Sequence, residues 1–497
     1  MPSNKYILAI DQGTSSTKSI IFDEAGKAIA RASEPLKSNY LSDGFVEQDA
    51  EEIYQNVLTS VSNCIKMFTD NGGDVQEIIC CGISNQRETF VVWDVSGKPL
   101  HPAIVWQCKR SLQVCEKLKM DSDLEQYIRY NTGLVIDPYF SATKLMWLKD
   151  NNEVVGKSIE NGSAFFGTID AWILYKLTHA QHYATDYTNA SRTMLFNLHT
   201  LQWDLYLIEK LGLIGIQLPQ LQPSASFFGT TDLNGILPLP IVITAMIGDS
   251  HAAAFGEGCF EAGTAKATLG TGCSILMNIG DKPVASKNGM VTTICWSTAD
   301  IVDYALEGVI VSCGATIEWL KNELMLFKDS FETEKMACSV SDNGGVYLIP
   351  SFSGLGSPHW QMDRRASISG MNFATTKNHI VRAALESIAY QIRDVVTAME
   401  NDASLSLKEL MTDGGITANQ FVLQFIADQL NKDVLCIPMP DISALGAAYL
   451  AGLKSGLYEN LAAIKKLNSD KKRHHPIVTG EVADKNYEGW KQAILRC

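Results

Sequence analysis

The sequence lacks the features that mark membrane and nucleic-acid-binding proteins. No run of about 18 apolar residues occurs, so no membrane-spanning helix is expected. Basic residues are in the minority, because 41 Lys and Arg stand against 55 Asp and Glu, and the formal net charge is -14. A chain this acidic is a poor match for nucleic acid or for an anionic membrane surface.

Paired cysteines are missing as well. None of the twelve cysteines forms a CxxC pair, which favours buried free thiols in a reducing compartment. The N-terminus shows no cationic start followed by a long apolar segment, since its apolar run breaks at Asp11, and no signal peptide is expected. These features predict a cytoplasmic protein. With 497 residues the chain is too long for one hydrophobic core, so two or more domains are expected.

A polar turn between two short apolar runs lies near the start of the chain. Residues 6–10 and 19–22 bracket this turn, a pattern that predicts a β-hairpin. The turn has no GxxxxGK[ST] sequence and is therefore not a Walker loop. Gly13 still allows a phosphate to approach the backbone, and the hydroxyls and Lys18 can bind its oxygens. Asp11 could hold a hydrated Mg²⁺ beside the same phosphates. The alternative is an ordinary polar turn.

Two later stretches repeat this theme. Residues 265–269 and 274–277 resemble short strands and bracket Gly270-Thr271-Gly272-Cys273, a second predicted hairpin without the acid. Two such hairpins half a chain apart suggest two related domains that hold one phosphate chain between them. Near the C-terminus, residues 410–412 lead into Asp413-Gly414-Gly415, where glycines suit an adenine or ribose lying against the backbone.

Charged and aromatic residues follow predicted strands in the first half. Strand 78–83 is followed by Arg87 and Glu88, a short apolar run ends at Trp106, and Tyr139 comes later. In open α/β sheets, ligands bind beyond the carboxyl ends of the strands. Charged groups bind hydroxyls and aromatic faces cover C–H surfaces, so this set suits a small polyhydroxy ligand. The alternatives are an exposed Arg–Glu ion pair and core packing of the two aromatic residues.

A carboxylate occupies a similar position later in the chain. Strand 241–247 is predicted to end just before Asp249, and a helix of small residues follows. This position suits a general base, and the alternative is an N-cap for the helix. His251 could also serve as a base, but a surface or packing role is favoured for it.

Seven stretches of the chain carry a family resemblance. They read AIDQGTSSTKSIIFD, SNQRETFVVWD, AIVWQCKR, NTGLVIDPYFSATK, DYTNASRTMLFN, YALEGVIVSCGATIEWL and ALGAAYLAGL. With them, and over nearly its whole length, the chain resembles the FGGY carbohydrate kinases of the actin/hexokinase/Hsp70-like superfamily. The resemblance implies an α/β fold of two actin-like (ribonuclease H-like) domains, residues 1–253 and 254–497, with a catalytic cleft between them.

The resemblance also implies an activity and a set of site residues. The activity is transfer of the γ-phosphoryl group of ATP to glycerol, giving sn-glycerol 3-phosphate and ADP, with Asp249 as catalytic base and with Mg²⁺ held by Asp11. The residues implied for ATP are Thr14, Ser15, Ser16, Lys18, Thr271, Gly314, Gly415 and Asn419. The residues implied for the polyol are Arg87, Glu88, Trp106, Tyr139, Asp249, Ser250 and Ser274. The family often forms assemblies, so a homodimer or homotetramer is expected.

At three places the chain departs from the family members that phosphorylate glycerol. Those members typically have Asp-Gln-Gln where this chain has Asp249-Ser250-His251, a phenylalanine in place of Ser274, and commonly an arginine in place of Lys18. The first two positions border the polyol in the family, so the pocket is predicted to be roomier and more polar. A larger polyol such as erythritol, or another tetritol or pentitol, is therefore the alternative substrate.

An alternative of another class is an actin- or Hsp70-like ATPase. Both kinds of protein would have the two hairpins and the adenosine motif. An ATPase of that kind would have no use for the polyol residues, which distinguishes the two predictions.

Overall fold

The computed structural model describes residues 5–437, 439–467 and 471–496. Two large β-sheets, one in each half of the chain, organise the fold. The strands of the first half are β1 (Tyr6–Gln12), β2 (Ser16–Asp23), β3 (Ala28–Pro35), β4 (Asn39–Tyr40), β5 (Val46–Gln48), β6 (Ile78–Asn85), β7 (Phe90–Trp93), β8 (Ala103–Ile104), β9 (Phe165–Thr168), β10 (Ala184–Asp186), β11 (Phe196–Asn197), β12 (Gln202–Trp203), β13 (Gln220–Gln222), β14 (Gly229–Thr231) and β15 (Ile241–Gly248).

The second half has its own strands, and helices lie along the whole chain. The strands are β16 (Thr264–Leu269), β17 (Cys273–Gly280), β18 (Val291–Ser297), β19 (Val302–Ile310), β20 (Tyr347–Ile349), β21 (Ser367–Ser369), β22 (Glu409–Asp413), β23 (Asp433–Cys436) and β24 (Lys472–His474). The helices are α1 (Ala50–Asp70), α2 (Leu112–Leu118), α3 (Ser122–Thr132), α4 (Ser141–Asn151), α5 (Glu153–Glu160), α6 (Ile169–Leu177), α7 (Tyr187–Ala190), α8 (Leu205–Lys210), α9 (Asp249–Gly256), α10 (Gly314–Asn322), α11 (Glu332–Cys338), α12 (Lys377–Ala403), α13 (Gln420–Leu430), α14 (Ile442–Lys454), α15 (Leu461–Leu467) and α16 (Gly480–Arg496).

The sheet of the first half has the strand order β14-β15-β6-β1-β2-β3. Its apolar strand residues are almost fully buried, because α1 packs on one face while α9 and α14 cover the other. The predicted opening hairpin forms, with β1 and β2 paired antiparallel. Both β1 and β15 run parallel to β6, so the carboxyl ends of the three strands meet at one edge. That edge carries Asp11, Arg87 and Asp249.

A second, five-stranded sheet of the first half has the order β4-β5-β8-β7-β9. It is continuous in sequence with the first edge, because β7 begins two residues after Glu88 and β8 ends two residues before Trp106. This sheet therefore anchors the segments that carry the predicted polyol residues.

The sheet of the second half repeats the plan, with the order β18-β19-β17-β16-β22-β23-β24. The predicted second hairpin forms from β16 and β17, and β22 lies parallel to β16 on its other side. The predicted third unit is also present, since β22 is followed by a 3₁₀ turn at Gly415–Ala418 and then by α13.

Helix α14 links the two halves. It belongs to the second half in sequence, but it packs against α9, β1, β6 and β15 of the first half. The approach of the two helices requires glycine at 446, because a Cβ there would lie 1.8 Å from the Ala252 carbonyl oxygen. The predicted division of the chain at residue 253 falls inside α9 and stays a prediction. Within the described ranges, no helix is both long enough and apolar enough to cross a membrane.

Candidate active site

Asp249 lies at the mouth of the site, directly after β15. Its side chain is 39% exposed, whereas most residues around it are buried. The N-cap of α9 is Gly248, and the Oδ1 atom of Asp249 accepts a hydrogen bond from the neighbouring Ser250 N–H at 2.6 Å. The N-cap alternative is therefore wrong for Asp249, and its partly exposed carboxylate can meet a ligand. His251 is fully buried, which fits the packing role and excludes a surface role.

Arg87 and Glu88 are buried rather than exposed, and they do not form the surface ion pair considered above. The Arg87 guanidinium forms ion pairs with Asp249 at 3.2 Å and with Glu307 at 2.8 Å. Glu88 has φ of 61°, a backbone conformation that non-glycine residues rarely adopt and that is found at functional sites. Its carboxylate contacts Arg192 at 2.5 Å.

Arg192 and Glu307 contact the predicted site residues Glu88 and Arg87, and sequence reasoning missed both. Both are buried, and the Arg192 guanidinium lies 2.7 Å from the Glu307 carboxylate. Burial alone would raise the pKa of Glu307, but Arg192 and Arg87 outweigh that effect and hold the pKa well below its usual range. A charged residue in the middle of the apolar run of β19 was the available signal, because a buried charge requires a partner.

Trp106 and Tyr139 form one aromatic wall. Their ring centroids lie 5.5 Å apart in an edge-to-face arrangement, and both side chains are partly buried. The Trp106 indole N–H donates to Thr14 Oγ1 at 3.0 Å, which joins this wall to the first hairpin. Lys144 holds the backbone at Tyr139, since its ammonium donates to the carbonyl oxygens of Pro138 and Tyr139 at 2.7 and 2.6 Å. Burial lowers the pKa of Lys144 to about 8.

Ser250 and Ser274 both lie beside this cluster. Ser250 is the second residue of α9, next to Asp249, and is nearly buried. The Ser274 hydroxyl, on β17, donates to Glu307 Oε1 at 3.2 Å. The structure therefore brings all seven predicted polyol residues to one region, in which Ser274 is contributed by the second half.

The first hairpin turn is held by hydrogen bonds within the turn and to neighbouring segments. The Gly13 N–H donates to the Ser16 carbonyl oxygen at 2.9 Å, and the Thr14 hydroxyl lies 3.3 Å from Gln86 Oε1. The Ser15 carbonyl oxygen accepts from Leu36 N–H at 2.9 Å. These bonds leave a short polar turn at the same sheet edge as Asp249.

Lys18 makes a contact that its position in the hairpin did not predict. Its ammonium lies 3.2 Å from Asp441 Oδ1, and Arg31 pairs with the same carboxylate. Asp441 directly precedes α14, so this ion cluster joins the two halves of the chain. Lys18 is 37% exposed and remains accessible to an anion.

Asp11 is suited to a divalent cation. Its Oδ1 accepts from the Ser84 hydroxyl at 2.9 Å. Burial raises the pKa of Asp11 to about 6, and the negative charge of Asp249 adds to the increase. No group of three or more His, Cys, Asp or Glu that could hold a metal occurs among the described residues. A lone carboxylate beside a phosphate site is the usual donor set for Mg²⁺, which keeps water and substrate phosphates as its other ligands.

A cavity of about 650 Å³ opens between the second hairpin, α10, the start of α11 and the 3₁₀ turn at Gly415–Ala418. Its lining includes the four residues predicted for the nucleotide from this half, Thr271, Gly314, Gly415 and Asn419. A Cβ on Gly415 would meet nothing within 4 Å, so this part of the cavity wall is open to a flat group lying against the backbone. Glu318 and Phe331 also line the cavity, and sequence reasoning missed both. The size and the mixed apolar and hydroxyl lining fit an adenosine group.

Comparison with known proteins assigns the family. Residues 6–256 match the N-terminal domain of the FGGY family of carbohydrate kinases, and residues 265–455 match its C-terminal domain. The chain belongs to the FGGY family of carbohydrate kinases. The α/β class and the presence of two FGGY domains, both expected from sequence, are thus confirmed.

Several proteins resemble this FGGY chain along its full length. It is 44% identical over 495 residues to a glycerol kinase of Carboxydothermus hydrogenoformans, covering 99% of this chain and 98% of that relative. It is 45% identical over 492 residues to a glycerol kinase of Brevibacillus brevis, with the same coverage. Among solved structures, Plasmodium falciparum glycerol kinase with ADP superimposes with a TM-score of 0.94 at 35% identity, covering 99% of this chain and 98% of that one. A gluconate kinase from Lactobacillus acidophilus, at 22% identity and a TM-score of 0.87, shares the fold.

Proposed function

We propose that the chain transfers the γ-phosphoryl group of ATP to glycerol, giving sn-glycerol 3-phosphate and ADP. Full-length relatives named glycerol kinase support the acceptor, and the similar glycerol kinase solved with ADP supports ATP as the donor. The observation that carries the proposal is the hydrogen bond from Trp106 to Thr14. This bond joins the polyol residues to the first hairpin, so that acceptor and phosphates would meet in one site.

On the acceptor side, Arg87 and Glu88 would bind glycerol hydroxyls while Trp106 and Tyr139 cover its C–H surface. Asp249 would accept the proton of the attacking hydroxyl. Its partly exposed carboxylate and its ion pair with Arg87 support that role. Phosphoryl transfer needs little more from the protein than in-line positioning and compensation of charge.

On the donor side, the hydroxyls of Thr14, Ser15 and Ser16 and the ammonium of Lys18 would bind phosphate oxygens from one direction. Thr271 would bind them from the other direction. The 650 Å³ cavity beside Thr271 supports an adenosine site at Gly314, Gly415 and Asn419. Both halves would thus hold one ATP molecule and exclude water from its γ-phosphate.

Asp11 would hold Mg²⁺ at the edge of the first hairpin. When bound, Mg²⁺ neutralises charge on the phosphate oxygens during transfer. The pKa of Asp11, raised to about 6, supports this assignment, because a cation would stabilise its ionised form beside Asp249.

Neither alternative reaction is favoured. Relatives named glycerol kinase cover the chain from end to end, which argues against a tetritol or pentitol as the main substrate despite Ser250 and Ser274. The buried Arg87, the aromatic wall and Asp249 argue against an ATPase without an acceptor.

The proposal also includes a cytoplasmic location and a homodimer or homotetramer. The eleven described cysteines are free, which supports a reducing compartment.

The test is identification of the product. Purified protein is incubated with ATP, Mg²⁺ and a panel of glycerol, erythritol, threitol, ribitol, xylulose and dihydroxyacetone. ADP release is measured, and the glycerol product is assayed with a stereospecific sn-glycerol 3-phosphate dehydrogenase. Glycerol is expected to give the highest kcat/KM and a product that this dehydrogenase oxidises. A higher kcat/KM with a four- or five-carbon polyol would overturn the assignment of the acceptor.

A further inference from the structure

Charged side chains of alternating sign form a row through the buried wall of the polyol site. Glu88 contacts Arg192 at 2.5 Å, and Arg192 contacts Glu307 at 2.7 Å. Glu307 contacts Arg87 at 2.8 Å, and Arg87 contacts Asp249 at 3.2 Å. Every member except Asp249 is at least nine-tenths buried. Glu307 stands at the centre of the row, between the two arginines.

Glu307 differs from the other members in its origin. It lies on β19 of the second half, whereas Glu88, Arg192, Arg87 and Asp249 all belong to the first half. Its backbone is fixed by pairing with Leu276 of β17 and Val291 of β18. A carboxylate held rigidly by one half therefore anchors two guanidinium groups of the other half.

The two arginines need this anchor. Each is buried, and the positive charge of Arg87 acts unfavourably on Arg192. Without a carboxylate between them, only the outer acids Glu88 and Asp249 would offset their mutual repulsion in a medium of low dielectric constant. Arg87 would then be drawn towards Glu88 and Asp249, the two acids that the proposed reaction needs for other purposes.

We propose that Glu307 is a positioning residue for the glycerol site, which keeps Arg87 oriented towards the polyol hydroxyls and keeps it from pairing more closely with Asp249, the proposed proton acceptor. The inference rests on the proposed function. It adds that glycerol affinity depends on contact between the two halves of the chain, because a rotation that separates β19 from the arginines would remove the anchor of Arg87.

The experiment compares Glu307→Gln with Glu307→Asp and the wild type. Glu307→Gln keeps the shape of the side chain and removes its charge. It is expected to raise the KM for glycerol by about thirtyfold or more, from the lower end of the range for breaking a buried charge pair, while the KM for ATP stays within about twofold. Glu307→Asp keeps the charge on a shorter side chain, so it is expected to restore part of the glycerol affinity.

Glu386→Gln is the matched control. Glu386 is an equally buried glutamate of the second half, paired with Arg382 at 2.7 Å and bonded to Asn343 and Tyr390. Losing its charge should lower the thermal midpoint of the protein without changing the KM for glycerol.

Three outcomes would overturn the inference. The KM for glycerol could be unchanged in Glu307→Gln, or it could rise as much in Glu307→Asp as in Glu307→Gln. It could also rise as much in Glu386→Gln as in Glu307→Gln. If Glu307→Gln does not fold, the test uses Glu307→Asp alone. A positioning role requires the KM of this variant for glycerol to rise. A purely structural role requires only that its thermal midpoint falls. Wild-type protein that does not phosphorylate glycerol would overturn the proposed function itself, whatever the variants do.

Discussion

The two hairpins of the site follow one plan but carry the acid on different strands. In the first hairpin (β1–β2), Asp11 pairs in register with Ser84 of the parallel strand β6, and the Ser84 hydroxyl donates to Asp11 at 2.9 Å. In the second hairpin (β16–β17), Thr268 pairs in register with Asp413 of the parallel strand β22, and the Thr268 hydroxyl donates to Asp413 at 2.9 Å. In the first hairpin the acid is on the hairpin strand and the hydroxyl on the parallel strand, and in the second hairpin this order is reversed. The hydrogen bond from hydroxyl to carboxylate is 2.9 Å long in both.

The charges around the two acids differ. Burial raises the pKa of both. The negative charge of Asp249 raises the pKa of Asp11 further, whereas the positive charge of Lys266 lowers that of Asp413. Lys266 also donates to Thr268 at 2.5 Å, which holds a cation beside the second acid. Lys18 lowers the pKa of Asp11 in the same way, but Asp11 lies beside the partly exposed Asp249, which favours the proposed Mg²⁺ site at the first hairpin.

The largest expected effect concerns Asp249, which directly follows β15 in the sheet of the first hairpin. Asp249→Asn removes the proton acceptor and keeps the shape of the side chain. We expect kcat to fall by about 10²–10⁴-fold, the range for general base catalysis, with little change in the KM for ATP. Steady-state kinetics with both substrates varied measure this split. A kcat within tenfold of the wild type would assign the proton transfer to another group.

Replacing each hairpin acid by asparagine tests the comparison directly. We expect Asp11→Asn to lower kcat by about a hundredfold, because Mg²⁺ stabilisation of transition-state charge is worth several kcal/mol. Asp413→Asn should leave kcat nearly unchanged and lower the thermal midpoint, since Lys266 loses its partner. The measurement is kcat as a function of Mg²⁺ concentration. Equal losses in the two variants would show that the hairpins do not differ as described.

A smaller effect separates the hydroxyls of the two turns. Thr14→Val and Thr271→Val each remove one proposed phosphate contact, so each should raise the KM for ATP by about two- to tenfold. Only Thr14→Val also removes the bond to Trp106, so only it should raise the KM for glycerol. The measurement is both KM values for each variant. A glycerol effect in Thr271→Val as large as in Thr14→Val would contradict the separate roles.

The smallest expected effect is a pH-dependent change in stability. The folded protein raises the pKa of Asp11 from 3.8 to about 6, so the fold disfavours its ionised form. Asp11→Asn should therefore be more stable than the wild type at pH 7.5, by about 1–3 kcal/mol without Mg²⁺ and ATP. The gain should disappear as the pH falls through about 6 towards 4, where the wild-type carboxyl is protonated. Denaturant unfolding at pH 7.5 and at pH 4.5 tests the sign, and a gain independent of pH would contradict it.

Local patterns predicted the parts of the fold that depend on short stretches of chain. The two hairpins and the strand before Asp249 were predictable because apolar runs of strand length end at polar turns. The burial of Arg87 and Glu88 was not decided by sequence, because an exposed ion pair and a buried site share the same residue types. Their contacts with Asp249, Glu307 and Arg192 settle it.

Contacts between distant residues could not be predicted. Arg192 and Glu307 complete the charged row, but each meets its partners only when segments far apart in sequence are brought together. The same holds for Lys18. The hairpin pattern predicts that it lies beside phosphates, but its ion pair with Asp441 could not be predicted. Such pairs depend on the packing of the two halves, which no periodicity records.

The most direct test is the rate of ADP formation by the wild-type protein with saturating ATP and Mg²⁺, measured with and without glycerol. If acceptor residues, both hairpins and Asp249 form one site, glycerol should stimulate ADP formation by about a hundredfold or more, because the proton acceptor acts only on a bound hydroxyl. An equal rate without glycerol would identify an ATPase and would contradict the account.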